Sequence, residues 1–304
     1  MRIFNIVTQK GGTGKSETAK NLAYGLSCKG LKVLIVDLDP QSNTSGTVLN
    51  LNKVVDVTTL EAMKKEFNKR KALYNGLTGM EGIEIINEYM NKNIKNCDIS
   101  DVLLNPRSIR NAIIKTKYPN ISIIPSSSKL VETDMRLKAS PVKSDTRLSM
   151  ALSEVENEYD VCIIDNSPII NAITINGITA CKSENDIVII PIKIENGSLE
   201  GVDTTLQQML EIIEYSSELG FDFKLLFTMR NRNKIESEIE ETLRYLFPDR
   251  CFNSKIRYQA KPVVQASLDK KILLEEEKDL NKKSGVAIDY NSLVDEVYEM
   301  MDEY

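Results

Sequence analysis

Apolar runs long enough for a β-strand recur along the chain, and helix-length segments separate several of them. The runs cover residues 2–8, 32–37, 121–125, 160–165, 187–192, 223–228 and, more weakly, 251–256. Several are continuous rather than alternating, as expected for strands that are covered on both faces. Helical patterns fall at 17–29, 146–157, 199–217 and 235–247. This order predicts an α/β fold, with a doubly wound, mainly parallel sheet and helices on both faces.

One stretch, from about residue 50 to 99, interrupts this alternation. It has no strong strand pattern, and Lys and Asn are abundant in it. A helix is predicted over 60–73, with Lys64, Lys65, Lys69, Arg70 and Lys71 against Glu61 and Glu66. We interpret the stretch as a surface insertion in a single domain that spans residues 1–304. Its charges are typical of a solvated helix face; a surface that contacts a partner or DNA is the alternative.

Composition narrows the class of protein. The chain has 304 residues and a net charge of −5, so its overall charge does not indicate a nucleic-acid binder. No apolar stretch approaches the roughly 18 residues of a membrane span, and the first strand leaves no room for a signal peptide. The five cysteines are scattered without a C-x-x-C pair. We therefore expect a cytoplasmic protein with reduced thiols that does not act at a membrane.

Histidine is absent from the chain. This removes the usual general base and the commonest zinc ligand. Acid–base and metal chemistry must then come from carboxylates, lysines, hydroxyls and the backbone. Phosphoryl transfer suits that inventory, because it depends mainly on positioning and on cationic stabilisation.

A glycine-rich segment lies between the first apolar run and the first helical pattern. Its sequence is Lys10-Gly11-Gly12-Thr13-Gly14-Lys15-Ser16. Glycines allow backbone N–H groups to turn toward a bound anion, and the next helix offers its positive end to the same phosphates. Lys15 is predicted to reach the β- and γ-phosphates, and the Ser16 hydroxyl to bind Mg²⁺. This order predicts a P-loop NTPase in which residues 10–16 and Glu17 bind the nucleotide.

Carboxylates end two of the apolar runs. Asp37 and Asp39 follow the second run, and Asp165 ends the run at 160–165. In open α/β sheets the carboxyl ends of the strands form the ligand crevice. We predict that Asp37 and Asp165 lie near Mg²⁺ and that Asp39 orients or deprotonates the attacking water. The alternative for Asp37 and Asp39 is a turn in which they cap the next helix.

Lys10 is a departure from an ordinary phosphate loop. It is not needed to cradle the nucleotide of its own protomer. A cation at this place could instead reach a phosphate held by a second protomer, as an arginine finger does. A lysine that points into solvent is the alternative.

Three motifs together resemble the ParA/Soj branch of the ParA–MinD ATPases. They are Lys-Gly-Gly-Thr-Gly-Lys-Ser at 10–16, Val-Asp-Leu-Asp-Pro-Gln-Ser-Asn at 36–43 and Ile-Ile-Asp-Asn-Ser-Pro at 163–168. The resemblance covers most of the chain outside 50–99. It implies slow, partner-stimulated hydrolysis of ATP with Mg²⁺ and ATP-dependent dimers in which Lys10 crosses to the partner's ATP. It also implies non-specific DNA binding on the nucleoid and a ParB-type centromere-binding partner, hence plasmid or chromosome partition.

Some features depart from that family or point to alternatives. We expect no N-terminal helix-turn-helix domain, and residues 264–268 replace the family's usual base-contacting stretch. Arg230 and Arg232 are predicted to contact DNA, with solvated surface charge as the alternative. A ParA-like ATPase that positions another cargo, such as a protein assembly or a mobile element, remains open. A membrane-positioning ATPase of the MinD kind fits less well, because residues 292–304 are acidic.

Overall fold

The computed structural model describes most of the chain. The described residues are 1–50, 57–73, 79–90, 97–194, 204, 206–208, 211–212, 220–231 and 233–302. Most of the helix predicted at 199–217 falls outside them, and the six described residues of that stretch are helical. No helix within these ranges is long and apolar enough to cross a membrane.

A seven-stranded sheet forms the centre of the described structure, in the order β3-β4-β2-β5-β1-β6-β7. The strands are β1 Arg2–Ile6, β2 Val33–Leu38, β3 Ile114–Lys115, β4 Ile121–Ile124, β5 Val161–Asn166, β6 Ile187–Lys193 and β7 Asp222–Thr228. All neighbours pair in parallel except β3, which is antiparallel to β4 at one edge. The predicted α/β class and the mainly parallel sheet are confirmed.

Helices cover the sheet within the described ranges. They are α1 Lys15–Cys28, α2 Asn43–Val48, α3 Val57–Leu73, α4 Gly79–Met90, α5 Ile99–Leu104, α6 Ile109–Ala112, α7 Leu130–Lys138, α8 Arg147–Ser153, α9 Ala172–Thr179, α10 Lys234–Leu246, α11 Ala260–Leu268, α12 Leu273–Asp279 and α13 Gly285–Asp302. The helix predicted at 60–73 is present as α3, which begins three residues earlier. The helix predicted at 146–157 is present as α8 but ends earlier, at Ser153.

The sheet separates two apolar cores, as alternation along β2 illustrates. Leu34, Val36 and Leu38 face a core shared with α5, α7, α8 and α9. Val33 and Ile35 face the opposite core, to which α1, α12 and α13 contribute. Successive side chains of a strand point to opposite faces, so a strand buried on both faces is apolar at nearly every position. This explains the continuous apolar runs of the sequence.

The weaker strand predicted at 251–256 is not formed. Isolated bridges pair Leu225 with Cys251 and Arg230 with Arg257, but no continuous ladder joins them. Cys251, Phe252 and Ile256 are buried all the same. Their apolar pattern therefore reports burial beside β7 rather than strand pairing.

Candidate nucleotide-binding site

The phosphate loop, residues 10–16, connects the β1 segment to α1. Gly12 has φ of 71° and Gly14 has φ of 86°, a backbone region that L side chains adopt only with strain. Gly14 is also the N-cap residue of α1, and its carbonyl accepts from the Thr18 N–H at 2.8 Å. The glycines thus let the chain turn sharply into the helix and direct the helix N-terminus toward the loop.

Lys15 lies near the end of the phosphate loop and is buried. Its Nζ donates to the carbonyl oxygens of Thr8 at 3.2 Å and Lys10 at 3.3 Å. Burial lowers the pKa of Lys15, while the charges of Asp165 and Asp39 oppose that shift. The predicted phosphate-binding lysine therefore lies beside two of the three predicted carboxylates, inside a pocket where its charge is poorly solvated.

Asp37 and Asp165 form a buried carboxylate pair on neighbouring strands. The two residues are register partners in the β2–β5 ladder, and both are fully buried. Burial, and after it the charge of Asp37, raises the pKa of Asp165 to about 7. Burial also raises the pKa of Asp37, against hydrogen bonds that lower it. Two carboxylates that share a site disfavour each other's ionised form, and the charge of Lys15 offsets this only in part.

The carboxylate pair fits a Mg²⁺ ion. Asp165 accepts from the Thr44 hydroxyl at 2.6 Å through Oδ2, whereas its buried Oδ1 accepts no hydrogen bond from the described residues. The Ser16 hydroxyl is near enough to lower the pKa of Asp165. No cluster of three or more His, Cys, Asp or Glu ligands occurs within the described ranges. Mg²⁺ suits such a site, because it takes one or two carboxylates and completes its shell with phosphate and water oxygens.

Asp37 also caps the helix that follows β2, which was the alternative role predicted from the sequence. Its Oδ2 accepts from the backbone N–H of Ser45 at 2.8 Å and from the Ser45 hydroxyl at 2.6 Å. These bonds hold the first turn of α2 against the end of β2. Asp37 therefore anchors a helix start and lies beside Asp165 at the same time, so the two interpretations are compatible.

Asp39 lies at the turn between β2 and α2. It is 9% exposed, and its Oδ1 accepts from the Gln41 N–H at 2.9 Å. Its carbonyl accepts from the Ser126 hydroxyl at 2.7 Å, and the Ser126 N–H donates to the Ser45 hydroxyl at 3.1 Å. The loop after β4 thus fixes the turn that carries Asp39.

An apolar cavity of about 170 Å³ adjoins the phosphate loop. Gly14 and Glu17 lie on its loop side, and Thr228 and Met229 enter it from the end of β7. The remaining lining residues are Ile256, Arg257, Tyr258, Gln259, Ala260, Val263, Val264, Val286 and Tyr290. A mostly apolar cavity beside a phosphate cradle is suited to a flat heterocycle.

The comparisons with known proteins agree with this geometry. A profile of the AAA domain family matches residues 1–220, which is more than half of the chain. The chain belongs to the AAA domain family. The resemblance to ParA/Soj-type ATPases is confirmed as well, and two similar proteins show its extent. Soj, the sporulation initiation inhibitor protein of Bacillus subtilis (strain 168), is 27% identical over 84% of this chain and 83% of its own length. The chromosome partitioning protein ParA of Caulobacter vibrioides (strain NA1000 / CB15N) is 27% identical over 90% of this chain and 87% of its own.

Solved structures with this fold include one of different function. Cobyrinic acid a,c-diamide synthase from Mycobacterium smegmatis, with bound ATP analogue and magnesium, superposes with a TM-score of 0.67. The alignment covers 97% of this chain and 93% of that one at 19% identity. This likeness shows the shared fold.

A cleft of about 590 Å³ lies near the apolar cavity, and we call it the cationic cleft. Its basic lining residues are Arg230, Lys234, Lys255 and Arg257. The Arg230 side chain is 8% exposed and pairs with Glu236 at 2.6 Å and Glu240 at 3.0 Å. The predicted DNA contact of Arg230 does not fit this arrangement, because both partners would have to give it up. Arg232 lies outside the described residues.

Lys10 is half-buried in the phosphate loop. Its carbonyl oxygen accepts from Lys15 Nζ at 3.3 Å and from the Thr13 hydroxyl at 3.5 Å. These bonds involve the backbone of Lys10 and shape the loop. Contact with a second protomer stays a prediction.

Sequence reasoning missed the hydroxyl groups that surround the carboxylates. Thr44, Ser45 and Ser126 bond to Asp165, to Asp37 and to the Asp39 carbonyl respectively. A run of small polar residues, Gln-Ser-Asn-Thr-Ser, follows Asp39-Pro40 and was the available signal for the first two. Ser126 lies in the loop after β4, far along the chain, so only the sheet order brings it to the site.

Proposed function

We propose that this ParA-type ATPase binds MgATP at the phosphate loop, dimerises in that state and hydrolyses the nucleotide slowly. The observation that carries the proposal is the buried carboxylate pair. Asp165 keeps an oxygen without a hydrogen-bond donor in the described structure, next to Ser16 and Lys15. Lys15 brings one positive charge to a site with three carboxylates, and a magnesium ion bound with the triphosphate would supply further positive charge.

Each predicted residue then has a role. The backbone of residues 10–16 and of Glu17 surrounds the phosphates, and Lys15 neutralises their charge. Ser16, Asp37 and Asp165 would hold Mg²⁺, directly or through water. Magnesium, when bound, polarises the phosphate oxygens and offsets the charge that develops during transfer. Asp39 orients the attacking water from a turn that Ser126 fixes.

The proposed assembly and partners are those expected from the similarity to ParA and Soj proteins. We propose that Lys10 crosses to the ATP of a second protomer, so that the dimer exists only with nucleotide. The dimer binds DNA without sequence preference on the nucleoid, in the cytoplasm, and a ParB-type partner stimulates hydrolysis. Partition of a plasmid or chromosome would result. Similarity to Soj and to the Caulobacter chromosome partitioning protein supports this.

Substitutions that stop different steps test the proposal. Lys15→Ala should abolish ATP binding, measured by calorimetry, because the phosphates lose their buried cation. Asp39→Ala should bind ATP but accumulate as a dimer with little turnover, measured by light scattering and phosphate release. Lys10→Ala should bind nucleotide and fail to dimerise. Lys138→Ala, on an exposed part of α7, is a matched control that should behave as the wild type.

The outcomes separate the roles. Wild-type hydrolysis in Asp39→Ala would show that another group orients the water. A Lys10→Ala protein that dimerises normally would refute the cross-protomer contact. Unchanged ATP affinity in Lys15→Ala would refute the proposed site itself.

A further inference from the structure

Glu17 is an unexpected residue at the edge of a phosphate site. It lies in the first turn of α1, two residues after Lys15. A carboxylate here would repel a polyphosphate bound at residues 10–16. The structure shows how that repulsion is limited. Lys20, which is only 6% exposed, pairs with Glu17 Oε1 at 2.5 Å.

The second oxygen of Glu17 remains available. Oε2 accepts no hydrogen bond from the described residues, and the side chain is 24% exposed. Glu17 lines the apolar cavity together with Gly14, and its charge adds to the effect of burial in raising the pKa of Tyr290, another lining residue. The carboxylate therefore sits where the phosphate loop and the apolar cavity meet.

Chain connectivity within a nucleotide decides what would lie at that junction. The sugar is bonded to the α-phosphate on one side and to the base on the other. If the phosphates occupy the loop and the base the apolar cavity, the sugar must lie between them, beside Gly14 and Glu17. An ionised carboxylate accepts hydrogen bonds and donates none, and the sugar hydroxyls are the donors of that part of the molecule.

We propose that Glu17 recognises the ribose of the bound nucleotide by accepting a hydrogen bond from a sugar hydroxyl, and so selects ribonucleotides over deoxyribonucleotides. This inference rests on the proposed function, since it takes the same site as an ATP site. Lys20 neutralises Glu17, so that a charged acceptor can lie beside phosphates.

Binding of diphosphates tests the proposal without turnover. Affinities of ADP, 2′-deoxy-ADP and 3′-deoxy-ADP are measured by calorimetry. The wild type should bind ADP about tenfold more tightly than one of the deoxy analogues, as expected for a hydrogen bond to a charged group. Glu17→Ala should bind all three equally. Glu17→Gln, whose amide oxygen still accepts, should keep part of the preference.

Variants at Lys20 provide the matched controls. Lys20→Met should weaken all three ligands together and leave the preference intact, because Glu17 stays in place. Glu17→Ala/Lys20→Met removes both charges at once, so no buried ammonium is left unpaired, and should fold and bind without preference. Its thermal unfolding confirms the fold.

Two results would overturn the inference: equal affinities in the wild type, or a preference that survives in both Glu17→Ala and Glu17→Ala/Lys20→Met. Absence of any ADP binding by the wild type would instead refute the proposed function. The two failures are therefore distinguishable.

Discussion

The nucleotide-binding edge and the cationic cleft both bury charged side chains, but they balance the charges in opposite ways. At the first, Asp37 and Asp165 lie together, and burial with the neighbouring charge raises the pKa of Asp165 to about 7. At the second, burial raises the pKa of Glu240, yet bonds from Arg244 and Lys255 and the charge of Arg230 outweigh it, so that the pKa ends below its usual range.

The two sites therefore differ in how completely their buried charges are paired. The charge of Arg230 is already balanced inside the protein by Glu236 and Glu240. Asp165 retains an orphaned oxygen beside a second carboxylate. Buried charge that is already paired contributes a fixed local structure, whereas buried charge of one sign is relieved by a ligand of the other sign.

Removing Arg230 from the cationic cleft should have the largest effect on stability. Arg230→Met removes the cation that the buried Glu236 and Glu240 share; Glu240 keeps Arg244 and Lys255, whereas Glu236 loses its ion pair. We expect the free energy of unfolding to fall by about 3–5 kcal/mol, measured by urea denaturation. Arg136→Met, which breaks an exposed pair with Glu132, should change it by less than about 1 kcal/mol. A small effect of Arg230→Met would show that the two glutamates find other partners.

Removing the charge of Asp165 at the nucleotide-binding site should instead raise the free energy of unfolding. The folded-state pKa of Asp165, about 7, lies above its ordinary 3.8, so the folded protein holds more protons than the unfolded chain between these values. The contribution of Asp165 to the stability of the metal-free protein therefore falls as pH rises from about 4 to 7. Asp165→Asn should raise the unfolding free energy at pH 8 by about 2 kcal/mol, with little gain near pH 4.

Magnesium connects this stability effect to binding. In the wild type, adding Mg²⁺ to the ADP complex should raise the melting temperature more at pH 8 than at pH 6, because Asp165 must ionise first. In Asp165→Asn that magnesium-dependent rise should be lost. Asp186→Asn is the control: this buried aspartate accepts three backbone N–H groups, so its loss should destabilise the protein and leave the magnesium effect intact. Equal magnesium effects in the wild type and Asp165→Asn would contradict the metal site.

The smallest effect is expected at the exposed side of the cationic cleft. Lys255 is 57% exposed and pairs with Glu240, so Lys255→Ala should change stability by less than about 1 kcal/mol. If the cleft faces DNA phosphates in the ATP state, the same variant should lower the slope of log affinity against log salt by about one. Fluorescence anisotropy with a random duplex measures this. An unchanged slope would place the DNA surface elsewhere.

Prediction succeeded where function depends on neighbours in sequence. The strand before the phosphate loop and the carboxylates at the ends of β2 and β5 lie where the apolar runs indicated. It failed at 251–256, where burial imitates strand pairing, and at β3, whose two residues are too few to give a pattern. Arg230 was misread for a related reason: its partners Glu236 and Glu240 lie on one face of α10, and sequence alone did not show that this face turns toward it.

The sequence by itself determined the phosphate loop, because glycines with positive φ, a lysine and the start of a helix are adjacent in the chain and act through local backbone geometry. It also determined the two-sided burial of the strands, through continuous apolar runs. Only the tertiary structure decided which charges are compensated. Thr44 meets Asp165, and Ser126 meets the Asp39 carbonyl, through the order of strands in the sheet. Glu17 and the end of β7 line the same apolar cavity, beside the packing of α1 against α13. Compensation of a buried charge depends on distance and solvation in three dimensions, and neither is a property of residue order.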